Sequence, residues 1–286
     1  MTFSFTKNYG PWALICGASD GLGAELARKC ASKGLNCALV ARRKEKLDIL
    51  KSELEREYGV QARSVPMDLM DEDAVDQIEN IANSLSIGLY VINAGGDTIG
   101  KRFLESDINA RQKFLRRNIE LLTESLYNFG IRFQKQKHGG IMVIGSDQAF
   151  SGAGRVSLYS ASKAYAMNLV ESLWTEWRNT KVDIAYMVIG STKTPKMLGI
   201  LEHYNVHLTT IDLAEPSDIA DWALSNIDQG PTCVFDINPN SMNPLASPTV
   251  RRERILRNTQ IIDFFYGDLE ADETLMANLK SGRNWK

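Results

Sequence analysis

The sequence predicts an α/β protein built on a doubly wound parallel sheet of about seven strands with helices on both faces. Three observations carry that prediction. Short apolar runs, several rich in β-branched residues, recur along the chain, and runs with helical spacing separate them. The strand-like runs are apolar throughout rather than alternating, as strands covered on both faces are.

The elements follow in order. "WALICGAS" reads as a buried strand that breaks at glycine, and "GAELARKCASKG" as a helix stopped by Gly34. "NCALVAR" is a second strand, "KEKLDILKSELEREYG" a second helix ending at Gly59, and "QARSVPMDL" a weaker strand carrying a proline. A helix from about Asp71 to Leu85 leads to the strand "IGLYVINAGG", and a long helical stretch around 107–136 to "GGIMVIGS". The helix holding "YSASKAYAMNLVESLWTEWRN" and the strand "KVDIAYMVIG" come next. Residues of about 190–214 relax into a segment the length of an active-site lid, before a short helix, "EPSDIADWALSNI", and a last strand, "TCVFDI".

In the tail, about 238–286, the residues Ile255, Leu256, Ile261, Ile262, Phe264 and Phe265 suit a packed helix. No linker divides the chain, so 1–286 is read as one domain with its core at about 11–237.

Lys and Arg number 33 against 35 Asp and Glu, which gives no field for nucleic acid or an anionic membrane and leaves a small molecule as the expected partner. No apolar run reaches the 18 or so residues of a membrane span, and the N-terminus lacks a leader pattern. Cys16, Cys30, Cys37 and Cys233 show no CxxC spacing and sit in or beside apolar runs, which points to free buried thiols and a cytoplasmic location. His203 and His207 could share a helix face, but with no third ligand evident no metal is expected.

The first strand-to-helix turn, "GASDGLG", places Gly17, Gly21 and Gly23 where a tight turn and a helix N-terminus can cradle a pyrophosphate. An NAD-binding chain usually ends its second strand with an acidic residue, whereas this one reads "VARRKEK" with Ala41 in that slot. Arg42 or Arg43, with Ser19 as a second donor, suits a 2′-phosphate and favours NADP(H). The alternative is a solvated basic helix start. Ser146 and Tyr159 are too far apart for one helix or strand face, while Tyr159 and Lys163, four apart, share a helix face.

"GASDGLG", "NAG" at Asn93 to Gly95, Ser146 and "YSASK" at Tyr159 to Lys163, in this order, resemble the short-chain dehydrogenase/reductase family. The resemblance runs from about Pro11 to Ile237 and is nearest the NADP-dependent hydroxysteroid dehydrogenase and 3-oxoacyl reductase branches. It implies a Rossmann-type fold in which Ser146 and Tyr159 converge on one carbonyl. Tyr159 would give the proton, Ser146 hold the oxygen and NADPH deliver hydride. Lys163 would lower the tyrosine pKa from its usual value of about 10 and hold the nicotinamide ribose.

The matching position for the family's water-holding asparagine is Asn118. Asp68 resembles the adenine contact, Asn93 the strand-end asparagine and Thr194 the threonine near the carboxamide. Asp20, Leu22, Leu69, Ala94, Gly95, Gly190 and Thr192 complete the implied cofactor set. Ile189 and Cys16 depart from the pattern, replacing a proline and a threonine.

The function these residues imply is an NADP(H)-dependent oxidoreductase that reduces a lipophilic, steroid-like or acyl-thioester ketone, or oxidises the matching secondary alcohol, as a homodimer or homotetramer. The alternative is a non-catalytic NADP-binding sensor or supporting subunit, against which the intact Ser146, Tyr159, Lys163 and Asn118 set argues. Met197, Leu198, Ile200, Leu201 and Tyr204 either line a substrate pocket or cover the core. Lys101, Arg102 and Arg155 either meet an anionic substrate or are solvated charges.

Overall fold

Apolar β-branched runs bounded by glycine form the strands, which the computed structural model gives as β1 (Trp12–Cys16), β2 (Asn36–Ala41), β3 (Ala62–Pro66), β4 (Ile87–Ile92), β5 (Gly139–Ile144), β6 (Val182–Val188) and β7 (Thr232–Val234). The structure describes residues 5–96, 101–150, 152, 154–203, 207–208, 212–235, 249, 252–253 and 256. The strands pair in parallel in the order β3-β2-β1-β4-β5-β6-β7. Pro66 ends the edge strand, where a missing N–H does least harm to a ladder. The direction of strand addition reverses between β1 and β4, and the crevice beyond their C-terminal ends is where such sheets bind ligands.

The helices are α1 (Phe5–Tyr9), α2 (Gly21–Ser32), α3 (Lys44–Tyr58), α4 (Ala74–Ser84), α5 (Ile108–Leu115), α6 (Leu121–Gln136), α7 (Ser157–Trp177), α8 (Pro195–His203) and α9 (Pro216–Ser225). Successive β1 residues point to opposite faces, so Ala13 and Ile15 join the core under α2, α3 and α9, and Leu14 and Cys16 the core under α4, α6 and α7. Leu26 of α2 is fully buried in the first core, a burial worth about 1.5–3 kcal/mol. All four cysteines are buried. No helix among the described residues is long and apolar enough to cross a membrane.

Two features differ from the sequence reading. The helical stretch over 107–136 is interrupted by a π-helical turn, Arg116–Glu120, between α5 and α6. There the Asn118 Nδ2 donates to the Phe114 carbonyl at 2.9 Å, supplying a side-chain donor to that backbone acceptor. The second feature is α1, which tucks Tyr9 fully under the sheet. Its hydroxyl donates to Asp183 Oδ2 at 2.7 Å, and its ring lies where Gly140 has no side chain, since a Cβ there would come within 2.8 Å of the ring.

In the segment read as a lid, α8 follows Gly190 with Pro195 at its first position, where a missing N–H is harmless. Tyr204 and the apolar residues assigned to the tail helix, apart from Leu256, lie outside the described residues.

Candidate active site

The ends of β1, β4, β5 and β6, with the start of α2 and α8, enclose a cleft of about 720 Å³. Its floor depends on glycine. Gly17 has φ 89°, and a Cβ there would sit 2.9 Å from the Ala94 nitrogen; a Cβ on Gly23 would overlap the Gly17 carbonyl oxygen. Asn93, just past β4, donates from Nδ2 to that same oxygen at 3.0 Å and so ties the turn to the neighbouring strand. The N-terminus of α2 thereby faces the cleft, with the Gly21 N–H capped by Asp20 Oδ1 at 2.9 Å and the helix dipole favouring an anion there.

Beside this turn lies a basic cluster. Arg43 Nη2 donates to Ser19 Oγ at 3.0 Å and to Asp20 Oδ2 at 3.2 Å, and Lys46 Nζ donates to the same Asp20 oxygen at 2.5 Å. Burial pushes the Asp20 carboxyl up, but the Lys46 hydrogen bond, the Gly21 N–H and the charges of Lys46 and Arg43 together hold it below the usual range. Arg42 turns away, 3.8 Å from Asp68 Oδ2 with its side chain 69% exposed.

On the opposite side, Ser146 follows β5. Its Oγ donates to Asp147 Oδ1 at 3.0 Å and accepts from the Gln148 N–H at 3.2 Å. Tyr159 lies in the first turn of α7 and Lys163 one turn on, with Nζ 5.6 Å from the tyrosine ring centre. Nζ also donates to the Ile144 carbonyl at 2.9 Å. Burial, reinforced by the charge of Arg117, pushes the Lys163 ammonium down to about 8. A Cβ added to Gly95 would lie 3.0 Å from Asn118 Oδ1 and 3.4 Å from Lys163 Nζ, so the amide and the amine both lie over that glycine. Beside them a cavity of about 20 Å³, lined in part by Asn118, Lys163, Arg117 and Ser162, has room for one water.

The profile of the short chain dehydrogenase family matches residues 11–204. The chain belongs to that family. It is thus an oxidoreductase of the kind acting on CH–OH and C=O groups. It is 30% identical to a 7beta-hydroxysteroid dehydrogenase of Clostridium sardiniense over 68% of this chain and 74% of that one. It is also 30% identical to a very-long-chain 3-oxoacyl-CoA reductase of Neurospora crassa over 84% of this chain and 71% of the relative. The solved structure of a short-chain dehydrogenase from Sphingobium yanoikuyae in complex with NADPH superposes with a TM-score of 0.73 at 25% identity, covering 93% of this chain and 100% of that one.

Within this short-chain dehydrogenase, Asp20, Gly21, Leu22, Arg43, Asn93, Ser146, Tyr159, Lys163, Gly190, Thr192 and Thr194 line the one cleft. Gly17 and Gly23 shape its floor from below, and Ala94 and Gly95 continue from Asn93. Leu69 is buried in the core. Arg42 and Asp68 pair with each other and do not line this cleft. At Gly190 an added Cβ would meet nothing within 4 Å, so space alone does not demand glycine between Ile189 and α8.

Met197 and Ile200 of α8 line the cleft while Leu201 is buried, so these residues divide between pocket and core. Lys101, Arg102 and Arg155 are exposed and none lines the cleft. Lys46 and Lys196 of the cleft lining escaped the sequence reading, as did Asp147 and Tyr186, which bond Ser146 from behind the cleft. Lys46 stands three positions after Arg43, a helical spacing that signals a shared face; Asp147 and Tyr186 carry no such signal.

Proposed function

We propose that this chain is an NADP(H)-dependent ketone reductase, and secondary-alcohol dehydrogenase in reverse, with Tyr159 as its acid and base. The observation that carries the reading is the meeting of Ser146, Tyr159 and Lys163 on the cleft whose other end holds the glycine turn and the Ser19, Arg43 and Lys46 cluster, with Asn118 beside Lys163 at the adjoining small cavity. The residues fit the cofactor. Only glycine suits the floor at Gly17 and Gly23, the α2 N-terminus favours a pyrophosphate, and Arg43 with Lys46 suits a 2′-phosphate where Ala41 offers no carboxylate. The relative solved with NADPH supports the same choice.

Bound NADPH supplies the hydride. In the reductive direction Tyr159 transfers its phenolic proton to the substrate oxygen, and Ser146 Oγ, released from Asp147, donates a hydrogen bond to that oxygen. The Lys163 cation stabilises the phenolate left behind. A water beside Asn118 returns a proton through Lys163 to Tyr159.

Ile189, Met197 and Ile200 give the cleft an apolar wall, which suits a lipophilic ketone of the steroid or 3-oxoacyl thioester type, as the names of the two relatives suggest. Thr123, Tyr127 and Ile131 form a line on α6, and Tyr165 of α7 bonds Thr123 at 2.7 Å. Tyr127 and Ile131 are exposed, an apolar strip that supports the expected homodimer or homotetramer. The test of the reading is cofactor oxidation across steroid ketones, 3-oxoacyl thioesters and aromatic ketones. NADPH consumption well above that of NADH is expected, and preference for NADH overturns the cofactor assignment.

A further inference from the structure

We propose that Tyr186 of β6 is the positioning residue that locks Ser146 to Lys163, so that both present themselves to Tyr159 in one fixed arrangement. The inference rests on the catalytic reading above and assigns a role to a residue that never reaches the cleft.

Tyr186 is fully buried, and its hydroxyl does two things at once. It donates to the Lys163 carbonyl at 3.0 Å and accepts from the Ser146 N–H at 3.3 Å. The backbone ladder between the β5 end and β6 explains why that N–H needs a side-chain partner. Gly145 N–H bonds the Met187 carbonyl at 2.7 Å and Asp147 N–H the Ile189 carbonyl at 3.1 Å, so the intervening Ser146 N–H points elsewhere. The Lys163 side chain closes the circuit by returning to the Ile144 carbonyl. The end of β5 and the first turns of α7 are therefore joined twice, once through Lys163 Nζ and once through the Tyr186 hydroxyl.

Gly145 supports the same reading, because a Cβ there would overlap the Tyr186 ring. Burial above all keeps the Tyr186 phenol protonated, with the Tyr159 and Asp147 charges adding to it and the Ser146 N–H opposing. It thus stays a donor to the Lys163 carbonyl across the working pH range. A bare aromatic ring would fill the same space but hold neither backbone group.

Tyr186→Phe keeps the ring and removes only the bridge. With the best ketone from the panel, kcat is expected to fall at least tenfold while KM stays within threefold. The ionisation of Tyr159, followed as tyrosinate absorbance minus that of the matching Tyr159→Phe protein, is expected to move upward in the Tyr186→Phe background. A merely structural role would lower thermal stability and leave both readouts in place. Unchanged kcat overturns the proposal, as does an unmoved Tyr159 midpoint where no ketone is turned over. Full activity in Tyr159→Phe alone instead overturns the catalytic reading, so the two failures are separable. Should Tyr186→Phe not fold, amide exchange at Ser146 in the unaltered protein decides. Protection like that of β5 supports the bridge, and exchange at loop rates contradicts it.

Discussion

Lys163 is buried under Tyr159, and loss of water followed by the nearby Arg117 charge brings its pKa down to about 8. The sign of the consequence is fixed: the cation proposed to support the Tyr159 phenolate is present below that pH and fades above it. Arg117→Gln removes the repulsion, so the alkaline limb of the kcat–pH profile is expected to move to higher pH; a limb that stays or moves down contradicts this electrostatic role. The two arginines after β2 separate in the same way. Arg43 touches Ser19 and Asp20, whereas Arg42 faces solvent beside Asp68. Arg43→Ala is expected to weaken NADPH binding by roughly 10- to 100-fold, the scale of a lost charge-assisted hydrogen bond, and to leave NADH binding in place. Arg42→Ala is expected to change NADPH affinity several-fold less, and equal losses in a fluorescence titration would refute the distinction.

At the scale of elements, the π-helical turn between α5 and α6 places Asn118 over Gly95. Asn118→Ala leaves the Phe114 carbonyl short of a partner, which costs about 1–3 kcal/mol, and removes the amide beside the small cavity proposed to hold the relay water. Both Tm and kcat are expected to fall; a lower Tm with unchanged kcat would confine Asn118 to structure.

This turn also marks the limit of what the sequence revealed. Strands such as "WALIC" and "GGIMVI" are legible because burial on both faces demands continuous apolar residues, and the glycine turn because Gly17 and Gly23 have no room for a Cβ. The π-turn was not legible, since one Asn in "RRNIE" reads as any helical residue until its bond to the Phe114 carbonyl is seen. Tyr186 was hidden for a similar reason. In "IAYMVI" it is one more core residue, and its role depends on a hydroxyl meeting backbone from two distant segments. Of the basic positions in "VARRKEK", composition could not say which arginine turns toward Ser19, because that depends on the direction of the α3 entry.

For the whole molecule, the N-terminal segment closes the end of the sheet opposite the cleft. Tyr9 on α1 bonds Asp183 on β6, and burial pushes the Asp183 carboxyl up while the Tyr9 hydrogen bond restrains it. Tyr9→Phe is expected to cost about 1–3 kcal/mol in denaturant unfolding while leaving KM unchanged, because the lost bond lies far from the cleft. A KM shift without a stability loss would contradict that division of labour. Turnover is the property on which the functional assignment stands. The decisive measurement is NADPH oxidation by the unaltered protein and Tyr159→Phe on steroid ketones and 3-oxoacyl thioesters. Reduction that falls by about 10²- to 10⁴-fold in the variant, with NADPH binding retained, is the predicted result. Equal turnover by both proteins, or NADPH binding with no turnover by either, would contradict it.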